Sequence, residues 1–369
     1  MLLHHLVDTF GFWGFGWSSI LMILIGLVFI FLGIRYKMEP LLLIPIGFSC
    51  MLVNIPFSGL MEAQGFLALT YEYLIKTEIV PCLIFLGVGA MTDFEPLLAN
   101  PSTFLLGAAA QIGIYCAMLL AIVCGFDIRS AATIGIIGGA DGPTTIYTAV
   151  KLAPQILGPV TVAAYSYMSL VPIIQPPVMK FLTTKKERKI KMSPLRKVSR
   201  IEKILFPLVC IAIVCSFVPK ATPLIGMLMF GNLLKESGVT KRLANAAQNE
   251  IINISTVFLG LGVGATMEGG NFLNPGTLLI LGLGVIAFIS ATAGGVLVGK
   301  LMSLISKGKI NPLIGAAGVS AVPMSARVVQ KMGQKENPKN FLLMHAMGPN
   351  VAGVIGSATA AGIFLSLLR

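Results

Sequence analysis

Charge is scarce in this chain. Only 11% of its 369 residues are Asp, Glu, Lys or Arg, against 56% hydrophobic residues, and the mean hydropathy is +0.88. So little charge excludes a soluble globular domain and predicts an all-α polytopic membrane protein. Acids are scarcer than bases, 15 against 27. The resulting net charge of +12 does not point to nucleic acid, because the basic residues lie mainly between apolar runs, where cytoplasmic loop charges belong. Histidine is rare, and His4 and His5 have no third ligand nearby, which argues against a metal centre there. The six cysteines (Cys50, Cys82, Cys116, Cys124, Cys210, Cys215) lie in apolar segments without a CxxC pair, so they read as small core residues. The first residues lack the basic region of a signal peptide, and Trp13 and Trp17 read as interfacial anchors of the first helix.

Apolar runs near 18–34, 41–55, 78–91 and 102–124 predict four spans, the second and third short for a bilayer. A broken apolar segment at 130–150 and a span near 157–179 complete a first half, residues 1–179. The 180–203 stretch holds ten of the 27 basic residues and two acids, which makes it a cytoplasmic loop. The second half, 204–369, has spans near 204–219, 222–235, 251–266, 277–302 and 340–367, with a second broken segment at 310–330. Residues 56–77 read as short and featureless.

The segment 134–149, IGIIGGADGPTTIYTA, is the focus of the chain. It has the apolarity of a membrane segment but carries Gly138, Gly139, Asp141, Gly142 and Pro143 at its centre. Glycine and proline weaken a continuous helix, and a carboxylate at mid-membrane depth costs roughly 2.5 to 3.5 kcal/mol on insertion scales. Such a break survives where it lines a polar cavity. Unwound carbonyls and a carboxylate there replace the hydration shell of a small cation. A Gly/Pro kink with Asp141 bonded to neighbouring backbone is the plainer alternative. Asp141 is the only one of the 15 acids deep in an apolar stretch, so it needs a cation or a proton as company.

The halves echo each other. Phe85-Leu86-Gly87-Val88-Gly89 returns as Phe258-Leu259-Gly260-Leu261-Gly262, Asn100-Pro101-Ser102-Thr103 as Asn274-Pro275-Gly276-Thr277, and Ile137-Gly138-Gly139-Ala140 as Ile314-Gly315-Ala316-Ala317. One offset of about 175 residues relates all three, which predicts a duplication. If each broken segment enters and leaves on one side, each half has five crossings, about ten in all. The 180–203 loop, Arg35, Lys37, Lys235, Lys300, Arg327 and Lys331 then all face the cytoplasm. An odd number of crossings per half makes the repeats inverted, with one re-entrant segment from each side and their tips meeting near the midplane.

GGADGPT, AAYSYMSLVPIIQPP, TTKKERKIKM, NPLIGAAGVSAVPMSAR and FLLMHAMGPNVAGVIGSA together resemble the beta subunits of the sodium-translocating biotin-dependent decarboxylases, over nearly the whole chain. The resemblance implies a bacterial inner-membrane subunit that decarboxylates carboxybiotin, with consumption of a proton, and couples this to Na+ export. It implies as partners a biotin carrier subunit, a carboxyltransferase alpha subunit and a small gamma- or delta-type membrane subunit, in a homo-oligomer, with a trimer as one form. Biotin would be covalently held by the carrier. By the same resemblance Asp141, Tyr167, Asn311, Gly315, Ser320 and Arg327 match the family's functional positions. Oxaloacetate members carry a long insertion between the second and third spans, so the short 56–77 stretch tilts the resemblance toward the acyl-CoA members.

Each position also has a physical case. Asn311 and Ser320 are neutral oxygen donors suited to a hard cation, Gly315 allows close backbone approach, and Asn350 is a weaker candidate of the same type. Polar helix-packing residues in a small-residue interface are the alternative. Tyr167 can pass a proton or hold a water, and only the resemblance separates it from Tyr165. Arg327, on the expected cytoplasmic side, suits a carboxylate in a forked hydrogen bond, although a positive-inside anchor explains it too. His345 reads as a satisfied interfacial histidine, with a proton-relay role as the lesser alternative. A sodium-coupled carrier without chemistry, or a structural anchor for a soluble enzyme, are the competing functions; the anchor leaves Asp141 unexplained.

Overall fold

The computed structural model describes residues 14–321 and 323–368, so His4, His5 and Trp13 lie outside the described residues. In chain order its principal helices are α1 (Trp17–Tyr36), α2 (Pro40–Val53), α3 (Phe66–Thr70), α4 (Ile79–Met91), α5 (Pro101–Val123), α6 (Ile128–Ile136), α7 (Gly142–Leu152) and α8 (Leu157–Leu182). After the basic loop come α9 (Arg200–Cys210), α10 (Thr222–Glu236), α11 (Ile252–Ala265), α12 (Pro275–Ile305), α13 (Met324–Glu336) and α14 (Leu343–Leu368). Helix starts follow local chemistry. Pro101 and Pro275 open α5 and α12, where a missing N–H costs nothing, and Asn274 Oδ1 accepts the Thr277 N–H at 2.9 Å.

The helical spans expected from the apolar runs are present as helices. Five of them (α1, α5, α8, α12 and α14) are long and apolar enough to cross a membrane, and a sixth is added if α3 and α4 form one bent span. That bent pair corrects one expectation. The 56–77 stretch is not featureless: α3 continues as a wider turn over Tyr71–Ile75 and meets α4 at 60°. Glu78, in the left-handed region at φ 68°, makes the corner and pairs with Lys151 at the end of α7.

Small residues set the helix contacts, as expected where apolar burial alone does not drive association. The contacts are reciprocal between the halves. A Cβ at Gly89 of α4 would lie 1.9 Å from Leu228 O on α10, and one at Gly264 of α11 would lie 2.5 Å from Ile46 O on α2. In the same way, Gly113 of α5 faces Ala287 O of α12 at 2.5 Å, and Gly294 of α12 faces Ala109 O of α5 at 2.8 Å. Alanine at any of these four glycines would force the paired helices apart.

Both broken segments fold back on themselves. At the ends of the first, Gln155 Nε2 donates to Ser130 Oγ at 3.2 Å. At the ends of the second, one residue of the basic loop touches both. Asn311 Nδ2 donates to Arg188 O at 3.1 Å, and Arg188 Nε donates to Glu336 Oε1 at 3.0 Å. Helix α8 joins the two bases. Its 26 residues span about 39 Å, with one base near each of its ends.

Candidate functional site

The two folded-back segments meet at Gly139 and Ser320. In the first, α6 tightens into a short turn over Ile137–Gly139, Ala140 takes φ 51°, and Asp141 is extended before α7 begins. The left-handed alanine costs roughly 1–2 kcal/mol, a local strain held by surrounding contacts. In the second, a tight-turned stretch over Pro312–Gly318 gives way to extended backbone at Val319 before α13. Ser320 donates twice to Gly139 O, from its N–H at 3.1 Å and from its Oγ at 2.6 Å.

Asp141 is buried beside this crossing and caps α7. Its Oδ2 accepts from Thr144 Oγ1 at 2.6 Å and from Ser357 Oγ of α14 at 2.9 Å. Its Oδ1 has only a long contact from the Thr144 N–H, at 3.4 Å. The carboxylate therefore keeps acceptor capacity, and no cationic side chain pairs with it in any ion pair among the described residues. The N-terminal end of α7 adds a favourable partial charge.

The structure separates the other sequence candidates. Ser320 is at the crossing. Asn311 is at the base of the second segment, where Oδ1 accepts from the Leu313 N–H and Nδ2 donates to Arg188 O and Ile190 O. Gly315 serves close packing: a Cβ there would lie 2.0 Å from Gly295 O on α12. Asn350 braces the second break through Nδ2, which reaches Ala317 O, Val319 O and Ser325 Oγ at 2.8 to 3.0 Å. Tyr167 donates to Leu281 O and lies against Gly284. Tyr165, rather than Tyr167, covers Gly142, next to Asp141, where an added Cβ would fall 2.1 Å from its ring.

Arg327 is exposed on α13, with no ion pair among the described residues. Beyond the end of that helix lies a cavity of about 470 Å³ against the basic loop, with Lys191, Arg196, Lys197 and Lys339 around it, Met192 and Phe341 in its walls, and His345 within. His345 corrects the expectation of a satisfied imidazole: it is buried and its Nδ1 has no hydrogen-bond partner. The loop over the cavity is tethered by Lys203 to Glu95, whose carboxyl the bond holds below the usual carboxylate range. Thr144 and Ser357 escaped the sequence reading, because a lone hydroxyl in an apolar helix gives no sign of what it will face.

Comparison with known proteins identifies the family. The family described as the Na+-transporting oxaloacetate decarboxylase beta subunit matches residues 18–368. The chain is 59% identical to the methylmalonyl-CoA decarboxylase subunit beta of Veillonella parvula, over 98% of this chain and 96% of that one. It is 56% identical, with the same coverage, to the glutaconyl-CoA decarboxylase subunit beta of Acidaminococcus fermentans. With the oxaloacetate decarboxylase beta chain of Klebsiella pneumoniae it shares 51% over 424 aligned positions and 98% of both chains, an alignment longer than this chain, so that relative carries inserted residues. Matched almost end to end, this protein belongs to the family of the Na+-transporting decarboxylase beta subunits and is a multi-pass membrane subunit of such an enzyme.

Proposed function

We propose that this subunit decarboxylates carboxybiotin presented by a biotin carrier subunit and couples the reaction to Na+ export, with Asp141 at the shared site. One observation carries the reading: Asp141, the one buried acid among the described residues, lies where two broken segments touch, with no ion pair there. The reaction cleaves the N–CO2 bond, releases carbon dioxide and places one proton on the ureido nitrogen. Removing the carboxylate from water favours the cleavage, and a proton donor completes it. Arg327 and the basic cavity at the loop suit a carboxylate on an apolar arm, the guanidinium by forked hydrogen bonds. Asp141, Ser320 and nearby oxygens hold the sodium; Asn311, Gly315 and Asn350 act on that site through the shape of the second break.

The purified complex, with its carboxyltransferase alpha and small membrane subunits, should release carbon dioxide from carboxylated carrier faster with sodium than without. Release that ignores sodium would overturn the coupling. In the same assay Tyr167→Phe should slow release by about tenfold while leaving the sodium requirement intact, as loss of a proton handler would. Tyr165→Phe at unchanged rate would leave Tyr167 as the functional phenol; the reverse pattern would transfer that role to the ring beside Asp141. Similarity above 55% to two acyl-CoA decarboxylase subunits supports an acyl-CoA as the complex's substrate, chosen in the carboxyltransferase partner.

We further infer ten crossings in two inverted five-crossing repeats, the halves being 1–179 and 204–369 about the 180–203 loop, in a homo-oligomer of the bacterial inner membrane. The reciprocal helix contacts and the bases of the folded-back segments at opposite ends of α8 support it. Cysteines introduced at Lys151 and Lys331 should be labelled from opposite sides of the membrane. Labelling from one side would refute the inverted arrangement.

A further inference from the structure

Among the described residues, four buried side-chain amide oxygens have no hydrogen-bond partner: Gln111 Oε1, Gln175 Oε1, Asn232 Oδ1 and Asn350 Oδ1. Asn232, on α10, donates from its nitrogen to Thr92 O. Gln175 and Asn350 brace the second break through their nitrogens. Gln111 is different in its surroundings. Its Nε2 donates to Gly107 O on its own helix at 3.0 Å and to Gly353 O on α14 at 3.3 Å. Both amide protons thus meet carbonyls, and turning the amide over would press its oxygen against those two acceptors. The orientation is fixed, and Oε1 has two free lone pairs in a buried position.

That oxygen lies at the edge of the Asp141 cluster. The place a Cβ of Gly139 would occupy is 3.8 Å from Gln111 Oε1 and 2.9 Å from Ser357 Cβ, and Ser357 Oγ is bonded to Asp141 Oδ2 at 2.9 Å. Gly139, Ser357, Asp141 and Gln111 therefore share one neighbourhood, contributed by the first break, α14 and α5. Two of its oxygens have spare capacity, Asp141 Oδ1 and Gln111 Oε1. No group of three His, Cys, Asp or Glu side chains placed to hold a metal ion occurs among the described residues, so this neighbourhood offers one negative charge and neutral oxygens. That set suits a hard monovalent cation better than a divalent or thiophilic one.

We propose that Gln111 Oε1 is a direct ligand of the transported cation, opposite Asp141, while Ser357 and Thr144 orient the carboxylate. The proposal rests on the reading of Asp141 as the sodium site. Binding through Gln111 ties the first break to α5 and, through the amide nitrogen, to Gly353 on α14. Cation occupancy is thereby felt by the helix that also carries Asn350 and His345.

The test is sodium activation of carbon dioxide release by the whole complex. Gln111→Met keeps the length and volume of the side chain and removes the oxygen. It should raise the sodium concentration for half-maximal activation by about tenfold and leave the rate at saturating sodium within about threefold of wild type. Gln111→Glu restores an oxygen but loses both N–H bonds to Gly107 and Gly353. Its half-saturation should fall well below that of the methionine variant. An unchanged half-saturation in Gln111→Met, or an equal rise in both variants, would overturn the ligand assignment and leave Gln111 as a helix clamp. Should Gln111→Met not assemble, an unchanged half-saturation in Gln111→Glu overturns the assignment and a lowered one supports it. Asp141→Asn, run in parallel, separates the two levels: if it too keeps sodium activation, the site itself is misplaced; if it alone loses activation, only the role of Gln111 fails.

Discussion

Asp141→Asn should abolish sodium transport and sodium-stimulated decarboxylation together, while the protein remains folded in the membrane. Asparagine is nearly isosteric, still accepts hydrogen bonds from Thr144 and Ser357, and caps a helix about as well as aspartate, so α7 loses little. What it removes is the one buried carboxylate charge among the described residues. Separating a buried charge from its partner typically costs about 3–5 kcal/mol, which converts to a loss of sodium affinity on the order of 100-fold or more. The measurement is sodium uptake into vesicles containing the reconstituted complex, alongside carbon dioxide release. Sodium-driven turnover at the wild-type rate in this variant would sink the ion-site assignment.

Acidification should weaken sodium activation in a way that identifies a shared site. Sodium binds the ionised carboxylate, and a proton on Asp141 excludes it, so affinity is full at high pH and is lost as pH falls through the carboxyl's pKa in the sodium-free site. By linkage, each pH unit below that value should reduce apparent sodium affinity about tenfold, equivalent to about 1.4 kcal/mol, for one exchanged proton. Above it the affinity should level off. Sodium activation curves from mildly acidic to alkaline pH test this directly. A half-saturation independent of pH, with Asp141 intact, would show that the two ions occupy different places. Tyr167→Phe should retain the competition, because its hydroxyl is bonded to Leu281 O and not to the carboxylate.

The coupling has a simple structural basis. The two breaks are bonded to each other through Ser320 and Gly139, and Asp141 is bonded across to α14. A cation that changes the carboxylate's bonds therefore acts on both halves at once. Such a contact can bias the arrangement of one half against the other only by its differential affinity for the two arrangements.

Asp141 was legible in the sequence because a single acid in an apolar, glycine-broken stretch has few physical explanations. The helical class and the positions of the apolar helices followed from composition and patterning, and the motifs carried the family. Other features depended on how distant segments pack. Ser357 lies 216 residues from Asp141, and nothing local marks it as that carboxylate's partner. Asn311 stood out by residue type alone, and only the folding back of its segment places it at the base, against Arg188 and Ile190. Tyr165 and Tyr167 are two residues apart on one helix, about 200° apart around its axis, so the packing of α8 decides which ring covers Gly142. The sequence by itself determined where a charge had to be accommodated within the membrane. The tertiary structure decided which oxygens accommodate it, because an amide or hydroxyl in an apolar helix acquires a role only from the carbonyl, carboxylate or ion that another segment brings to it.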